Sequence, residues 1–580
     1  MELLYCWIEE YDVLKKQEFN FGGEYLFNYN EVTGLLTKKI NSNYVEGFFN
    51  ILENKNIINV TAIIGENGAG KSTLLRFIRK QLFNKLAHVP SILIFKKNNE
   101  ILGFIFGDLK VKPYNFDFTR ISDRIGKRIY KSLQPVYYST ILDRTFEEEN
   151  QFEQNLSTNY LLGTRNLNTN EYFRLKLNRD IRLYQLLSEV DFEDFPVRLP
   201  NQIIIRSNVN SSIVSTNLRV ENIRKRLLLV YRNEKNIQEQ GLIYFILILQ
   251  DMIFTNRAVR NLANSNHILS RFLERLEMNI NNKDISSQYL LSMNEAIQLS
   301  NTDQQVGYAR LLNTSSKFLE YFSNLVWKNL IKIELSEKYL QYEMNVDEHF
   351  IEFLKEYYNT TFKSHYLNFT WRGLSSGEEN LLDLFSRFYY MSNYINNKNS
   401  LIIFIDEFES HLHPQWQKQI LYLFIYFFNI LLPKKKIQIV LTSHSPFILS
   451  DLPHSNVILI KKNGDKRKVL TELEDLGLTF ASNIHTLLSH SFFMQESLMG
   501  SFARFKINII LNKIITNSID KLRGEEEEIR IEIHLIGEKI IRNKLLQLLD
   551  EKIGIQNEIQ KEINELKERL ILLERLKEDD

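Results

Sequence analysis

The stretch NIINVTAIIGENGAGKSTLLRFIRKQLF (56–83) constrains this chain more than any other. It opens as a β-branched, apolar run, passes directly into GENGAGKST (65–73), and then repeats apolar residues at helical spacing. A strand, a glycine-rich turn and a helix in that order match G-x-x-x-x-G-K-[S/T], in the structural context that motif needs. The glycines let backbone N–H groups converge on a phosphate, and the following helix N-terminus adds a favourable dipole. Gly65, Glu66, Asn67, Gly68, Ala69, Gly70, Lys71, Ser72 and Thr73 are therefore read as an ATP-binding loop. Lys71 is expected to reach the β- and γ-phosphates, and Ser72 to ligate Mg²⁺.

A second motif completes the site. LIIFIDE (401–407) is an apolar strand ending in two acids, which its carboxyl end would present beside the phosphate loop. Asp406 is expected to hold the Mg²⁺ hydration shell and Glu407 to polarise the attacking water. Far more chain lies between Lys71 and Asp406 than one strand–helix unit uses. GLSSGEEN (373–380) begins a helical run, and a Ser-x-Gly at a helix N-terminus is an anion site. The phosphates in one copy are already wrapped by the Lys71 loop. Ser375 and Gly377 are thus expected to close on the nucleotide of a second copy. VLTSHSP (440–446) places His444 after the next strand, within reach of a γ-phosphate.

Strand and helix signals divide the chain into four stretches. Residues 1–150 form the N-terminal lobe, with hairpins and the phosphate loop. In 151–365 helical periodicity dominates and the segment reads as a large helical insertion. Strand–helix alternation returns over 366–465. Residues 466–580 read as a mostly helical extension with a short strand near 529–536 and a heptad-like tail, Ile559, Ile563, Leu566, Leu570 and Leu573.

This order of motifs resembles the ABC-type ATPases of the SMC and RecF kind: phosphate loop, long helical insertion, LSxGE signature, Asp-Glu strand, histidine switch. The resemblance covers roughly 1–150 and 366–461. It implies an α/β P-loop ABC-type head with a helical insertion and a helical C-terminal extension. Two heads would sandwich two ATPs, with Lys71, Ser72, Asp406, Glu407 and His444 acting from one and Ser375 and Gly377 from the other. Gln134 is a candidate for the nucleotide-sensing glutamine. DEFESHLHPQWQ and TSHSPFILSDLP further resemble the OLD-like branch. The stretches 479–507 and 536–552 are similar to the ATPase of the Septu antiphage systems, PtuA, whose relatives also accompany some retrons. That likeness implies a cytoplasmic ATPase that controls a separate HNH nuclease, PtuB. Two other readings stay open: a SMC/RecF-like repair ATPase acting on DNA, and a static ATP-binding scaffold.

The remaining features narrow the chemistry. A net charge of +1 gives no global basic field, so nucleic acid would have to be met by a local patch such as 110–131, with Arg124, Lys127 and Arg128. The single cysteine, Cys6, excludes an intrachain disulfide and a cysteine-based zinc site, and fits a reducing cytoplasm. The N-terminus carries acids where a signal peptide would be basic. The apolar runs 242–249 and 420–432 read as buried helices, and no membrane partner is expected. The sequence contains no D-x-D for a metal nuclease, and its late histidines (His454, His485, His490, His534) form no HNH pattern. Glu565 and Lys567 imitate an E-x-K nuclease pair but lie in a helical charge pattern. His411 and His413 lie in the turn before a helix that starts at Pro414 and are assigned to an interface loop rather than to a transition metal.

Overall fold

The computed structural model describes the chain except residues 53–54, 83–87, 122–131, 143–152, 165–171, 173–174, 184–200, 208–217, 256–264, 281–283, 300–306, 336–339, 361–365, 394, 396–399, 411, 464–465, 471–477, 485–486, 488–500 and 579–580. Two compact units are present, Met1–Leu487 and Leu488–Asp580.

A seven-stranded sheet organises the first unit. Across it lie Gln154–Asn155, Leu133–Ser139, Ser400–Asp406, Lys436–Ser443, Ile57–Gly65, Val457–Asn463 and Lys466–Leu470. All neighbours run parallel except the final edge strand. The inner strands are mostly apolar because both faces are covered; every residue of Ser400–Asp406 is buried. Their register aligns Ser139, Asp406, Thr442 and Ile63 in one row at the carboxyl edge. The structure is thus the parallel α/β arrangement that the sequence implies.

The helix Lys71–Leu82 follows the phosphate loop and buries Leu74, Leu75, Phe77, Ile78 and Leu82. These side chains share one core with Leu3, Cys6 and Ile8 of an N-terminal strand and with Ile402, Phe404 and Val440 of the central sheet. The N-terminal strand Glu2–Tyr11 belongs to a separate five-stranded sheet containing the hairpin of Ser91–Lys97 and Glu100–Phe106. Glu348–Thr360 precedes the stretch 373–380. The helix Ser376–Ser392 packs on Pro414–Leu431 through Phe385 and Phe388 against Phe424, Phe427 and Phe428.

Between 151 and 365 the helices expected from periodicity are present, among them Ile237–Thr255 and Gly307–Trp327. The segment is not purely helical, however. Gln202–Ser207, Ile331–Leu335 and Leu340–Asn345 join Leu367–Trp371 in a four-stranded antiparallel sheet. Ile331–Leu335 and Leu340–Asn345 are neighbours along the chain, but Gln202–Ser207 comes from far earlier, so its place between Leu340–Asn345 and Leu367–Trp371 is fixed by tertiary contacts rather than by a local pattern. The apolar run read as 242–249 also extends further: Ile237–Phe254 is long and apolar enough to cross a membrane. Phe245 of that helix is fully buried and stacks on Phe322 at 3.7 Å between ring centroids, as a core helix does.

In the second unit Ser501–Thr516, Ile519–Gly524, Glu526–His534 and Lys539–Glu578 surround a core of Ile510, Ile514, Leu522, Ile529, Ile533, Leu545 and Leu549. The strand expected near 529–536 is a helix. A strand would put Ile529, Ile531 and Ile533 on one face. Instead Ile529 and Ile533, four apart, are buried and Ile531 is 59% exposed. The heptad-like tail lies on the unbroken helix Lys539–Glu578, where Glu565, Leu566 and Lys567 are exposed.

Candidate functional site

The carboxyl edge of the seven-stranded sheet gathers the phosphate loop, the two acids and the histidine. The loop owes its path to glycine at two places. Gly68 and Gly70 adopt φ of +72° and +104°, which a side chain disfavours. Lys71 is buried and its ammonium donates to the carbonyls of Gly65 (3.1 Å) and Glu66 (3.3 Å). Burial pulls the Lys71 pKa down, against the opposing attraction of the Glu407, Asp406 and Glu409 carboxylates. A phosphate would supply the negative charge and acceptors that this lysine here finds on backbone carbonyls.

Asp406 is buried and accepts three hydroxyl hydrogen bonds. Ser72 Oγ (3.0 Å) and Thr442 Oγ1 (2.5 Å) donate to Oδ1, and Tyr137 OH (3.4 Å) donates to Oδ2. Burial pushes its carboxyl pKa up, and the bonds from Thr442 and Ser72 pull it back. A serine hydroxyl beside a carboxylate is a hard-oxygen donor set suited to Mg²⁺. Among the described residues no cluster of three His, Cys, Asp or Glu side chains is placed to hold a metal ion. The donor set therefore fits a cation shared with nucleotide phosphates rather than one caged by protein alone. Ser72 and Asp406 would hold Mg²⁺, which would neutralise charge developing on the phosphates.

Glu407 has a backbone φ of +47°, in the left-handed region that non-glycine residues enter at a cost. Its N–H is held by Thr442 Oγ1 at 3.1 Å. The bend turns its side chain out of the sheet edge toward His444, with Oε1 3.3 Å from His444 Nε2. The hydrogen bond from His444 holds the Glu407 carboxyl below the usual range and keeps it ionised. An ionised carboxylate beside an imidazole can orient a water and respond to the charge of a γ-phosphate.

The other residues singled out in the sequence occupy different places. Ser375 caps the helix Ser376–Ser392, and Glu378 closes a capping box on it: Ser375 N–H and Oγ–H donate to Glu378 Oε2 at 2.7 and 2.8 Å. Gly377 lies in the first turn of the same helix. Among the described residues, every hydrogen bond of Ser375 stays within that helix, and none reaches the phosphate loop of its own chain. Gln134 pairs with Leu401, five positions before the row of Ser139 and Asp406. At about 3.3 Å per residue that is roughly 16 Å from the nucleotide edge, so Gln134 is not a nucleotide sensor. His413 is an exposed helix cap, its Nδ1 accepting from Gln415 N–H at 3.3 Å. His411, His485, His490, Arg124, Lys127 and Arg128 lie outside the described residues.

Three contributors escaped the sequence reading. Thr442 bridges Asp406 and Glu407 with one hydroxyl. Glu409 is buried under the loop and accepts from Ser443 Oγ and His444 N–H. Arg79 forms a buried two-pronged pair with Glu153 (2.8 and 3.0 Å) and covers the Tyr137 ring at 3.4 Å, bracing the tyrosine that reaches Asp406. The signal for Thr442 was its place two residues before His444 on a strand whose alternation points it back at the acids.

None of the curated proteins compared matches the chain. One family does, over residues 60–450, more than half of the chain and spanning the phosphate loop, the acids and the histidine. Phosphate loop, Mg²⁺ donors and parallel sheet all agree with it, and the chain belongs to the family described as "AAA domain, putative AbiEii toxin, Type IV TA system", with a P-loop ATPase domain.

Proposed function

We propose that this chain is an ABC-type ATPase head that binds ATP and Mg²⁺, hydrolyses ATP as a head-to-head dimer or higher oligomer, and does so in the cytoplasm. Lys71 and Ser72 hold the phosphates and Mg²⁺, Asp406 completes the Mg²⁺ shell, Glu407 activates water, and His444 positions Glu407 and contacts the γ-phosphate. Ser375 and Gly377 close on the nucleotide of the second copy.

The observation that carries this reading is the division of the motifs. The phosphate loop, both acids and His444 meet at one sheet edge, whereas Ser375 keeps its hydrogen bonds within its own helix. The left-handed backbone at Glu407 argues against a static scaffold, because such strain persists where a side chain must be aimed. Glu407→Gln tests the reading. In ATP and Mg²⁺ it is expected to stop hydrolysis and to double its mass by light scattering. A variant that turns over ATP at the parental rate, with unchanged mass, overturns the assignment.

At the level of the pathway, the reading is a PtuA-like subunit of an antiphage defence complex, some relatives of which accompany retrons, that controls a separate HNH nuclease. The helices of the insertion support it over a SMC-type repair ATPase. The longest among its described residues, Gly307–Trp327, has 21 residues, far from an extended coiled-coil arm. Co-purification with the products of neighbouring genes, with and without ATP, is the test. Recovery of an HNH nuclease is expected; reproducible recovery of the chain alone under both conditions sinks the partner assignment.

A further inference from the structure

Glu409 lies two residues beyond Glu407 and is only 4% exposed. One carboxylate oxygen, Oε1, takes two short hydrogen bonds, from Ser443 Oγ and from the His444 backbone N–H, both 2.6 Å. The other oxygen, Oε2, is buried with no hydrogen-bond partner among the described residues. A buried carboxylate with one oxygen unpaired opposes folding, so its presence calls for a role beyond packing.

The geometry supplies one. His444 is gripped at two points by the same loop. Glu407 meets its imidazole at Nε2 (3.3 Å), and Glu409 holds its backbone. The grip extends into a closed circuit. Ser443 Oγ accepts from Ser445 N–H (2.9 Å), and Ser445 Oγ donates to Gln417 Oε1 (2.9 Å). Gln417 Nε2 returns to the Glu409 carbonyl (3.4 Å) and to the Leu412 carbonyl (3.0 Å). The loop that follows the Asp-Glu strand and the loop that carries His444 are thereby locked as one body. A histidine free to move by an ångström would present its imidazole to Glu407 in many orientations, and misplacement on that scale costs up to about a hundredfold in rate.

We propose that Glu409 is a positioning residue for ATP hydrolysis: its carboxylate fixes the His444 backbone so that His444 and Glu407 hold one mutual orientation. This rests on the reading of Glu407 and His444 as the hydrolytic pair. Glu409 acts through His444, whose backbone N–H donates to it.

The test is single-turnover hydrolysis of pre-bound radiolabelled ATP·Mg²⁺ by the full chain. Rates are expressed per ATP bound, so that only folded, nucleotide-loaded molecules count. Glu409→Ala is expected to slow the step by about ten- to a hundredfold while ATP affinity stays within about threefold. Glu409→Gln keeps an acceptor oxygen at the Oε1 position and is expected to restore the rate to within about threefold. Glu409→Ala combined with His444→Ala should be no slower than His444→Ala alone, since both changes remove one function. A purely structural role would lower the bound fraction and leave the rate per bound ATP unchanged. A Glu409→Ala rate within twofold of the parent overturns the proposal, as does a Glu409→Gln rate as slow as that of Glu409→Ala. Glu407→Gln, run alongside, separates the two levels: parental hydrolysis there overturns the hydrolytic pair itself.

Discussion

The left-handed backbone at Glu407 leads to a sharp stability test. Replacing Glu407 by Ala and by Gly removes the same carboxylate, and the two products differ by one methyl group. At φ of +47° the alanine methyl crowds the following carbonyl, at a cost of about 1–2 kcal/mol. Glycine escapes that cost but loses about 0.5–1 kcal/mol more than alanine in conformational entropy on folding. The difference leaves Glu407→Gly more stable than Glu407→Ala by about 0–1.5 kcal/mol, about 0.75 kcal/mol at mid-range, the reverse of their order in ordinary helix or strand. The half-exposed hydrogen bond between Glu407 and His444 is worth at most about 1 kcal/mol, and neither variant can form it. The Thr442 hydroxyl accepts the residue-407 N–H in either case, so it cancels. Urea denaturation followed by tryptophan fluorescence reads the first unit, since Trp7, Trp327, Trp371 and Trp416 all lie within it. Both variants are also expected to lose ATP turnover by about a hundredfold or more, because both lack the carboxylate proposed to activate water. Glu407→Ala proving at least as stable as Glu407→Gly would show that the backbone is not strained to aim this side chain.

Two further outcomes follow from buried charges. Arg387 is buried in the helix Ser376–Ser392, where its guanidinium donates to Asp383 Oδ2 (2.6 Å), the Leu156 carbonyl (2.7 Å), Thr158 Oγ1 (3.1 Å) and Tyr172 OH (2.7 Å). Arg387→Ala leaves Asp383 under-compensated and is expected to cost about 3–5 kcal/mol in chemical denaturation; a loss below about 1 kcal/mol would contradict the network's role. Asp451 is pushed up to about 6 by burial, with Lys418 pulling it the other way. Its folded pKa exceeds the unfolded value of about 3.9, so the fold binds the extra proton and loses stability as pH rises between those values. Asp451→Asn should remove that slope and, after allowance for solvent screening, stabilise the chain by about 1 kcal/mol at pH 7.5 with no gain at pH 3.5; an equal effect at both pH values would show that Asp451 does not titrate in this window.

Much of the site could be read before any coordinates. A phosphate loop needs glycines, a lysine and a serine at fixed spacing within about one turn, and an acid-tipped strand needs only an apolar run, so Lys71, Ser72, Asp406 and Glu407 announce themselves. Gln134 could be picked out as a candidate sensor, but sequence did not say at which end of a strand it would lie. Only the register with Ser400–Asp406 shows that Gln134 sits at the far edge. Glu409 gave no signal because its meaning lies in two hydrogen bonds to residues more than thirty positions away. The stretch 529–536 misled for a related reason: its alternating isoleucines imitate a strand, and the core chose the i, i+4 pair instead.

The division follows the range of the forces involved. Sequence by itself determined whatever is encoded within a few residues: the phosphate loop, the buried parallel strands, the helix starts at Ser375 and Pro414, and the glycines at Gly68 and Gly70. Only the tertiary structure decided what depends on distant segments meeting: the antiparallel sheet inside the insertion, the Arg387 and Arg79 ion pairs, the Thr442 bridge, and the lock of Glu409 on His444. Local propensity is a property of neighbours along the chain. The aim of a catalytic side chain is a property of neighbours in space, set once the sheet has fixed its register and buried groups have found their partners.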